Sequence, residues 1–305
     1  MVFLIDTGAP ENSVEPYEIG AATNENQLHN GYFLAPVNQR GFTTGSANTN
    51  LGYFLDRWTR VGYNAGVITQ TDGTGLTINN ASVTSGSSQI VQKLEAALPD
   101  NTYTLSVKVR GVSGSGTLSL ATAAGAALAS KTFTSDGVHS VTYSGSTIGR
   151  VYIGASAGSS ITIEAVKLEV GAKQTLARLD EDESWVLSDP PPDKAAELAK
   201  CQRYFISIDI TNMAPIGAGI GTGAGAACFF VPTPCEMRVN PTITGAANLQ
   251  AVGDGSGFPI SNVNSVVKTP AGLFTAVTLT DASDSAVYIL CGCVSSGVVT
   301  FSADL

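Results

Sequence analysis

Histidine, tryptophan and charge are the scarce materials of this chain. It has two histidines and two tryptophans in 305 residues, and only 13% of its residues are charged, about half the roughly 25% of an ordinary soluble domain. Two histidines leave little room for a histidine-rich metal site or for the base of a nucleophilic triad. Neither His29 nor His139 stands beside a nucleophile-elbow motif. Lys and Arg are outnumbered 16 to 25 by Asp and Glu, for a net charge of −9. Phosphate backbones are bound by a surplus of basic residues, so no nucleic-acid partner is expected. No Gly-x-x-x-x-Gly-Lys phosphate loop occurs, and the alternating Gly217, Gly219, Gly221, Gly223 and Gly225 do not fit Gly-x-Gly-x-x-Gly spacing. The expectation is a protein that is not an enzyme.

Address signals are also missing. Met1 to Ile5 is apolar, but no basic residue precedes it and Asp6 ends it, so it does not read as a signal peptide. The uncharged stretch Ile210 to Cys235 is long enough to span a bilayer, yet it carries Pro215, Pro232, Pro234 and five glycines, which would ruin a helix in lipid. No membrane span is expected. Five cysteines without a secretory signal do not make a disulfide framework. Cys228, Cys235, Cys291 and Cys293 lack the two-to-four-residue pair spacing of a thiolate zinc site.

What is plentiful is Gly (33 residues), with Ser, Thr and Asn, residues that favour turns and strands over helices. Residues 1–30 carry five acidic and no basic groups and read as an irregular docking arm. Residues 31–170 read as an all-β domain, a sandwich or jelly roll. Tyr103, Leu105, Val107 and Val109 alternate with polar residues, further strand-like segments follow, and turn signals such as Pro99-Asp-Asn101 and Asp136-Gly137 separate them. Residues 171–205 have 12 charges in 35 positions and read as a stiff connector. Pro190-Pro-Pro192 leads to an Asp193 N-cap and a short helix expected to pack through Ala195 and Leu198. Residues 206–305 return to strands with only eight charges. Their strands, apolar on both faces, predict burial against identical copies, a homotrimer. The period-two glycines fit either a closely packed strand or a flexible loop.

For ligands, the best aromatic cluster is Trp58 in Leu55-Asp-Arg-Trp58, with Tyr53 and Tyr63 nearby. Aromatic faces stack on sugars, so these three are the candidate carbohydrate-binding residues, with a core role for Trp58 as the competing reading. No cofactor is expected; the alternative is calcium, held by Asp and backbone carbonyls at strand ends, but no Asp-x-Asp-x-Asp-Gly loop supports it. No catalytic residue stands out.

Several segments together resemble a recurrent family of bacteriophage and prophage fibre proteins. They are Pro36-Val-Asn-Gln-Arg-Gly41, Leu55-Asp-Arg-Trp58, Tyr103-Thr-Leu-Ser-Val107, Lys167-Leu-Glu-Val-Gly171, Gln174-Thr-Leu-Ala177, Ala195-Ala-Glu-Leu-Ala-Lys-Cys-Gln-Arg-Tyr-Phe205 and Glu236-Met-Arg-Val-Asn-Pro-Thr242. The resemblance implies a jelly roll like carbohydrate-binding modules, then a short helix and a C-terminal β domain, in a trimeric virion appendage. On this reading the arm, 1–30, docks on another virion protein and the 31–170 domain contacts host-surface glycan. Only about 30 residues precede that domain, whereas family members usually follow a long shaft. The expectation is therefore a short fibre or fibre tip for attachment, the alternative being a structural decoration of the collar, neck or capsid with no receptor role. In a virion exposed to oxidising surroundings, Cys228 and Cys235 could bond to each other or to a neighbouring protein; free buried thiols are the competing state.

Overall fold

Side chains at period two fall on opposite sides of an extended backbone, and this chain uses that periodicity almost throughout. The computed structural model describes residues 24–47, 52–62, 66–223, 225–253, 256–280 and 287–305. It is nearly all β. The N-terminal strands are β1 (Thr44–Ser46), β2 (Tyr53–Leu55), β3 (Trp58–Val61), β4 (Val67–Thr71), β5 (Gly75–Asn79), β6 (Ser87–Lys93), β7 (Asn101–Ser113), β8 (Gly116–Thr122), β9 (Ala127–Phe133), β10 (Gly137–Gly145), β11 (Ile148–Ser156) and β12 (Ser160–Val170). They form two six-stranded sheets, ordered β1-β4-β5-β12-β7-β10 and β2-β3-β6-β11-β8-β9. The chain crosses between the sheets repeatedly, so each sheet contributes one apolar face to a shared core. Leu105, Val107 and Leu168 come from one sheet and Trp58, Leu120 and Ile153 from the other, all buried.

Asn24 to Asn30, expected in the arm, belong to this sandwich. The Asn26 side chain donates to the Val166 carbonyl (3.0 Å) and accepts from the Leu168 amide (3.0 Å), while Leu28 enters the core. An apolar residue flanked by amide side chains that can serve a strand's backbone is drawn to a sheet edge, whatever the acidity of the preceding segment. The rest of the arm lies outside the described residues.

The connector is β13 (Ala177–Leu179), β14 (Trp185–Leu187) and α1 (Lys194–Gln202). Its hairpin lies on the outer face of the first sheet, where Leu176, Ala177, Trp185 and Leu187 cluster with Tyr32, Val138 and Ala165. That cover explains why Lys167 and Glu169, on the solvent side of β12 by alternation, are 1% and 0% exposed. Lys167 Nζ donates to Asp189 Oδ2 (2.7 Å) and Thr175 Oγ1 (3.1 Å), and Glu169 accepts from the Thr175 amide (2.6 Å) and hydroxyl. The helix starts as expected: Asp193 accepts from the Ala195 and Ala196 amides. Its seat differs from expectation. Cys201 is fully buried and Glu197 and Leu198 are half-buried, but Ala195 is exposed. The helix is held by its C-terminal turn, because chain entering a new domain there must turn inward.

Beyond it come β15 (Phe205–Ile210), β16 (Pro215–Gly223), β17 (Ala226–Pro232), β18 (Thr242–Thr244), β19 (Leu249–Gly253), β20 (Ser256–Thr269), β21 (Gly272–Leu279), β22 (Val287–Gly292) and β23 (Gly297–Ser302). Six close into a barrel, β16-β17-β21-β20-β19-β22, beside a three-stranded sheet, β15-β23-β18. The stretch long enough to span a membrane is the β16–β17 hairpin of this barrel. No helix among the described residues is long and apolar enough to cross one. The alternating glycines resolve as packed strand over 217–223. Gly219 pairs with Phe229 on one side and Tyr288 on the other, both rings buried; a Cβ there would overlap the Cys228 carbonyl. Gly225, at φ +74°, makes the turn.

Candidate functional sites: the interdomain joint and the barrel face

Three of the segments that carry the resemblance, around Gln39, Arg57 and Tyr204, meet at the joint between sandwich and C-terminal domain. Gln39 donates from its backbone amide to Asp56 Oδ2 (2.7 Å), and from its side chain to Asp56 Oδ1 (3.0 Å) and the Phe205 carbonyl (2.9 Å). Arg40 lies 3.7 Å above the Phe205 ring and pairs with Asp304 at 2.6 Å. Arg57 lies 3.6 Å above the Tyr204 ring and donates to the Lys93 carbonyl (2.7 Å). Its Nε and Nη1 meet no hydrogen-bond acceptor, so the face of Tyr204 is what stabilises that part of the buried cation. Tyr204 in turn donates to Glu95 (2.9 Å), which also pairs with Arg203 (3.3 Å). These contacts run from the buried Arg57–Tyr204 pair to the exposed Arg203–Glu95 pair, and together they tie the two domains to each other.

The candidate sugar residues sit differently from expectation. Trp58 is 0% exposed; its indole packs on Phe33 and donates to the Asn30 carbonyl (2.9 Å). It has no free face to stack on a ligand. The Tyr53 hydroxyl is taken up by Leu305, donating to its backbone oxygen (2.9 Å) and accepting from its amide (3.0 Å), while Lys93 donates to the same oxygen (2.7 Å). Burial and nearby Asp304 push its phenol above the ordinary range, keeping it a neutral donor. Tyr63 lies outside the described residues. The physical reason is common to Trp58 and Tyr53: a large ring between two sheets, or between two domains, gains more from burial than from display.

Cys228 and Cys235 are free thiols in this structure, as are the other three cysteines. Cys235 Sγ is directed at the Ala199 carbonyl on the helix (3.5 Å), and Cys228 is on the barrel wall between Ile220 and Ala276. Cys201 is held protonated by burial, its thiol far above the usual range. Among the described residues, no three His, Cys, Asp or Glu side chains group around a metal position. His139 stacks on Phe133 (centroids 4.5 Å apart) with Nε2 on the Ser135 carbonyl (2.8 Å).

Two titrating groups sit at the joint with opposite effects, half-buried His29 and buried Asp56. Burial, reinforced by Arg57, lowers the His29 pKa to about 4. Burial raises the Asp56 pKa to about 6, against the pull of its hydrogen bonds from Gln39. Between pH 6.5 and 4 the unfolded chain protonates its histidine while folded His29 stays neutral, so stability is lost as pH falls. Folded Asp56 takes up its proton near pH 6 while the unfolded carboxyl has none until about 4, so stability is gained. In wild type the two largely offset. With His29→Gln, Asp56 acts alone, and urea unfolding is expected to show a chain more stable at pH 5 than at pH 7 by about 1 kcal/mol. A variant that weakens over that range would refute the assignment.

The second site is the outer wall of the barrel. Cross-strand register places Val287, Ile220, Cys228, Ala276 and Ser265 in one outward row, and Ile289, Ala218, Phe230, Phe274 and Val267 in the next. Neither row contains a charge. Val287 is 71% exposed, Ile220 56%, Phe274 52% and Ile289 46%, a contiguous apolar surface of the kind that marks interaction sites. The sequence reading had both faces of these strands covered. In the single chain the inner face is covered and the outer one is open.

No family model matches the chain, and no curated protein matches it. Among solved structures, an arabinose-bound α-L-arabinofuranosidase is similar over 50% of this chain and 27% of its own length, at 18% identity and a TM-score of 0.32. The chain spans little more than a quarter of that protein, and a likeness this slight carries over neither fold nor activity.

Proposed function

We propose that the chain is a non-enzymatic virion-appendage subunit of the phage-fibre kind its sequence resembles, a homotrimer built on the outer wall of the C-terminal barrel. The observation that carries this is the pair of uncharged apolar rows just described. Five large apolar side chains exposed across adjacent strands are costly in water and cover well against a second copy. The interdomain joint supports the same reading. A rigid coupling of sandwich to barrel suits a part that transmits position rather than one that opens and closes around a substrate.

Attachment to host-surface glycan is the second reading. What favours it is charge: residues 31–170 are net +2 in a chain of net −9, so the sandwich is the part least repelled by an anionic envelope. With Trp58 and Tyr53 committed to packing, structural decoration is the better supported role. Sedimentation of the full chain is expected to give three times the 31.3 kDa monomer mass. Ile220→Ser with Phe274→Ser, both on exposed positions, is expected to weaken association by about 10²-fold or more. A wild-type chain that sediments as a folded monomer at micromolar concentration would overturn the proposal.

A further inference from the structure

The connector leaves a cavity where it crosses the first sheet. About 190 Å³ of space lies between the segment 25–32, β12 and the connector from Leu176 to Lys200. An apolar cavity of about 150 Å³ holds a benzene ring, so this one has room for a single six-membered ring with its substituents. Leu28, Tyr32, Leu176 and Leu187 supply apolar lining, and the exposed Glu25, Pro190, Pro192 and Lys200 form the mouth. The polar groups of the lining have capacity to spare. Asp189 meets Lys167 through Oδ2 (2.7 Å). Glu197 accepts one bond on each oxygen, from the Asn30 amide (2.7 Å) and from Lys200 (2.8 Å). A carboxylate accepts about four hydrogen bonds and an ammonium donates three, so Asp189, Glu197 and Lys200 can each serve a guest without giving up the fold's own contacts.

We propose that this cavity binds a neutral sugar ring. The lining holds three carboxylates, Glu25, Asp189 and Glu197, and two ammonium groups, Lys167 and Lys200. A hydroxyl both donates and accepts, so it can serve either kind. A ligand carboxylate on Lys200 would face Glu197, which already holds that ammonium. A ligand ammonium would face Lys167 and Lys200, and a plain hydrocarbon would strip water from the polar groups with no hydrogen bond in return. A pyranose instead offers a C–H face to Tyr32 and the leucines and a hydroxyl edge to the carboxylates. Every lining residue precedes Cys201, so the inference does not depend on self-association through the barrel wall, and it supplies the glycan reading with a site.

The test is saturation-transfer NMR on the full chain, with glucose, galactose, mannose, N-acetylglucosamine and their methyl glycosides as probes. A guest of about twelve non-hydrogen atoms at ordinary efficiency per atom has a Kd of about millimolar, and transfer to at least one of these sugars is expected. Glu25→Ala with Lys200→Ala, both exposed, is expected to weaken binding about tenfold or more, and Leu187→Trp to abolish it by filling the cavity. If Leu187→Trp fails to fold, the exposed pair decides alone. No transfer to any sugar, or transfer unchanged by the exposed pair, would overturn the site. Transfer to leucine or butylamine and not to the sugars would overturn the ligand class. Methyl glycosides bound as well as the free sugars would identify the terminal ring of a glycan, and free sugars bound alone a monosaccharide. Sedimentation reads assembly separately: a chain that assembles without binding sugar overturns this inference alone, and a monomer that binds sugar overturns the self-association alone.

Discussion

Trp58→Ala is expected to cost the chain about 3–5 kcal/mol of unfolding free energy, and to do so without touching any ligand. The indole is fully buried between the sheets, packed in a tilted arrangement against Phe33, with ring centroids 5.2 Å apart. Removing it takes away the largest side chain of the sandwich core and leaves a cavity that surrounding strands, fixed by their ladders, can only partly close. It also strips the Asn30 carbonyl of its donor, and a buried acceptor left unmade adds about 1–3 kcal/mol to the loss. Trp58→Phe keeps most of the packing and forfeits mainly the hydrogen bond, so its cost is expected to be the smaller, about 1–3 kcal/mol. Urea unfolding followed by the fluorescence of Trp185, the other tryptophan, measures both. The outcome also separates core from ligand roles. If Trp58→Ala stays fully stable while losing affinity for cells or glycan, the burial account is wrong and the sugar-platform expectation returns.

The second large effect is expected from Lys167→Met. Lys167 is 1% exposed, with Asp189 and Thr175 within hydrogen-bond reach and Glu169 at 3.9 Å. Deleting one partner of a buried charge network leaves the others uncompensated, a loss of about 3–5 kcal/mol when all are buried. Asp189 is 39% exposed and can be served by water, so about 2–4 kcal/mol is the expected cost. Much of it falls on the connector, because Lys167 is the hook that fastens Asp189 to the outer face of the first sheet. Limited proteolysis should therefore cut the variant within residues 171–193 under conditions where wild type resists. Equal resistance of the two proteins would show that the hairpin is held by Leu176, Trp185 and Leu187 alone. Glu169, which binds Thr175 independently of Lys167, then becomes the residue to vary.

These two residues show where reading the chain succeeds and where it stops. Lys167-Leu-Glu-Val170 was legible as a strand, since alternation is a local property of an extended backbone. That both its faces would be buried was not, because the cover comes from residues 172–190, whose charge suggested solvent. Trp58 was legible as a prominent ring beside strand-like residues. Whether it faced a sugar or a core depended on the second sheet and on Asn30, which no local pattern names. The joint had a signal in the sequence, the segments around Gln39, Arg57 and Tyr204 that carry the family resemblance, but nothing in their spacing said that they meet.

By itself, then, the order of residues determined the all-β class, the short helix and its Asp193 cap, and the low charge of residues 206–305, because propensity, capping and composition act over a few neighbours. Only the tertiary structure decided which faces are closed. It buried Trp58, turned Tyr53 toward Leu305, set Gly219 between Phe229 and Tyr288, and left the barrel wall open. Burial is the outcome of contacts between segments far apart in the chain, and a pattern with period two says that a strand has two sides without saying what will cover either.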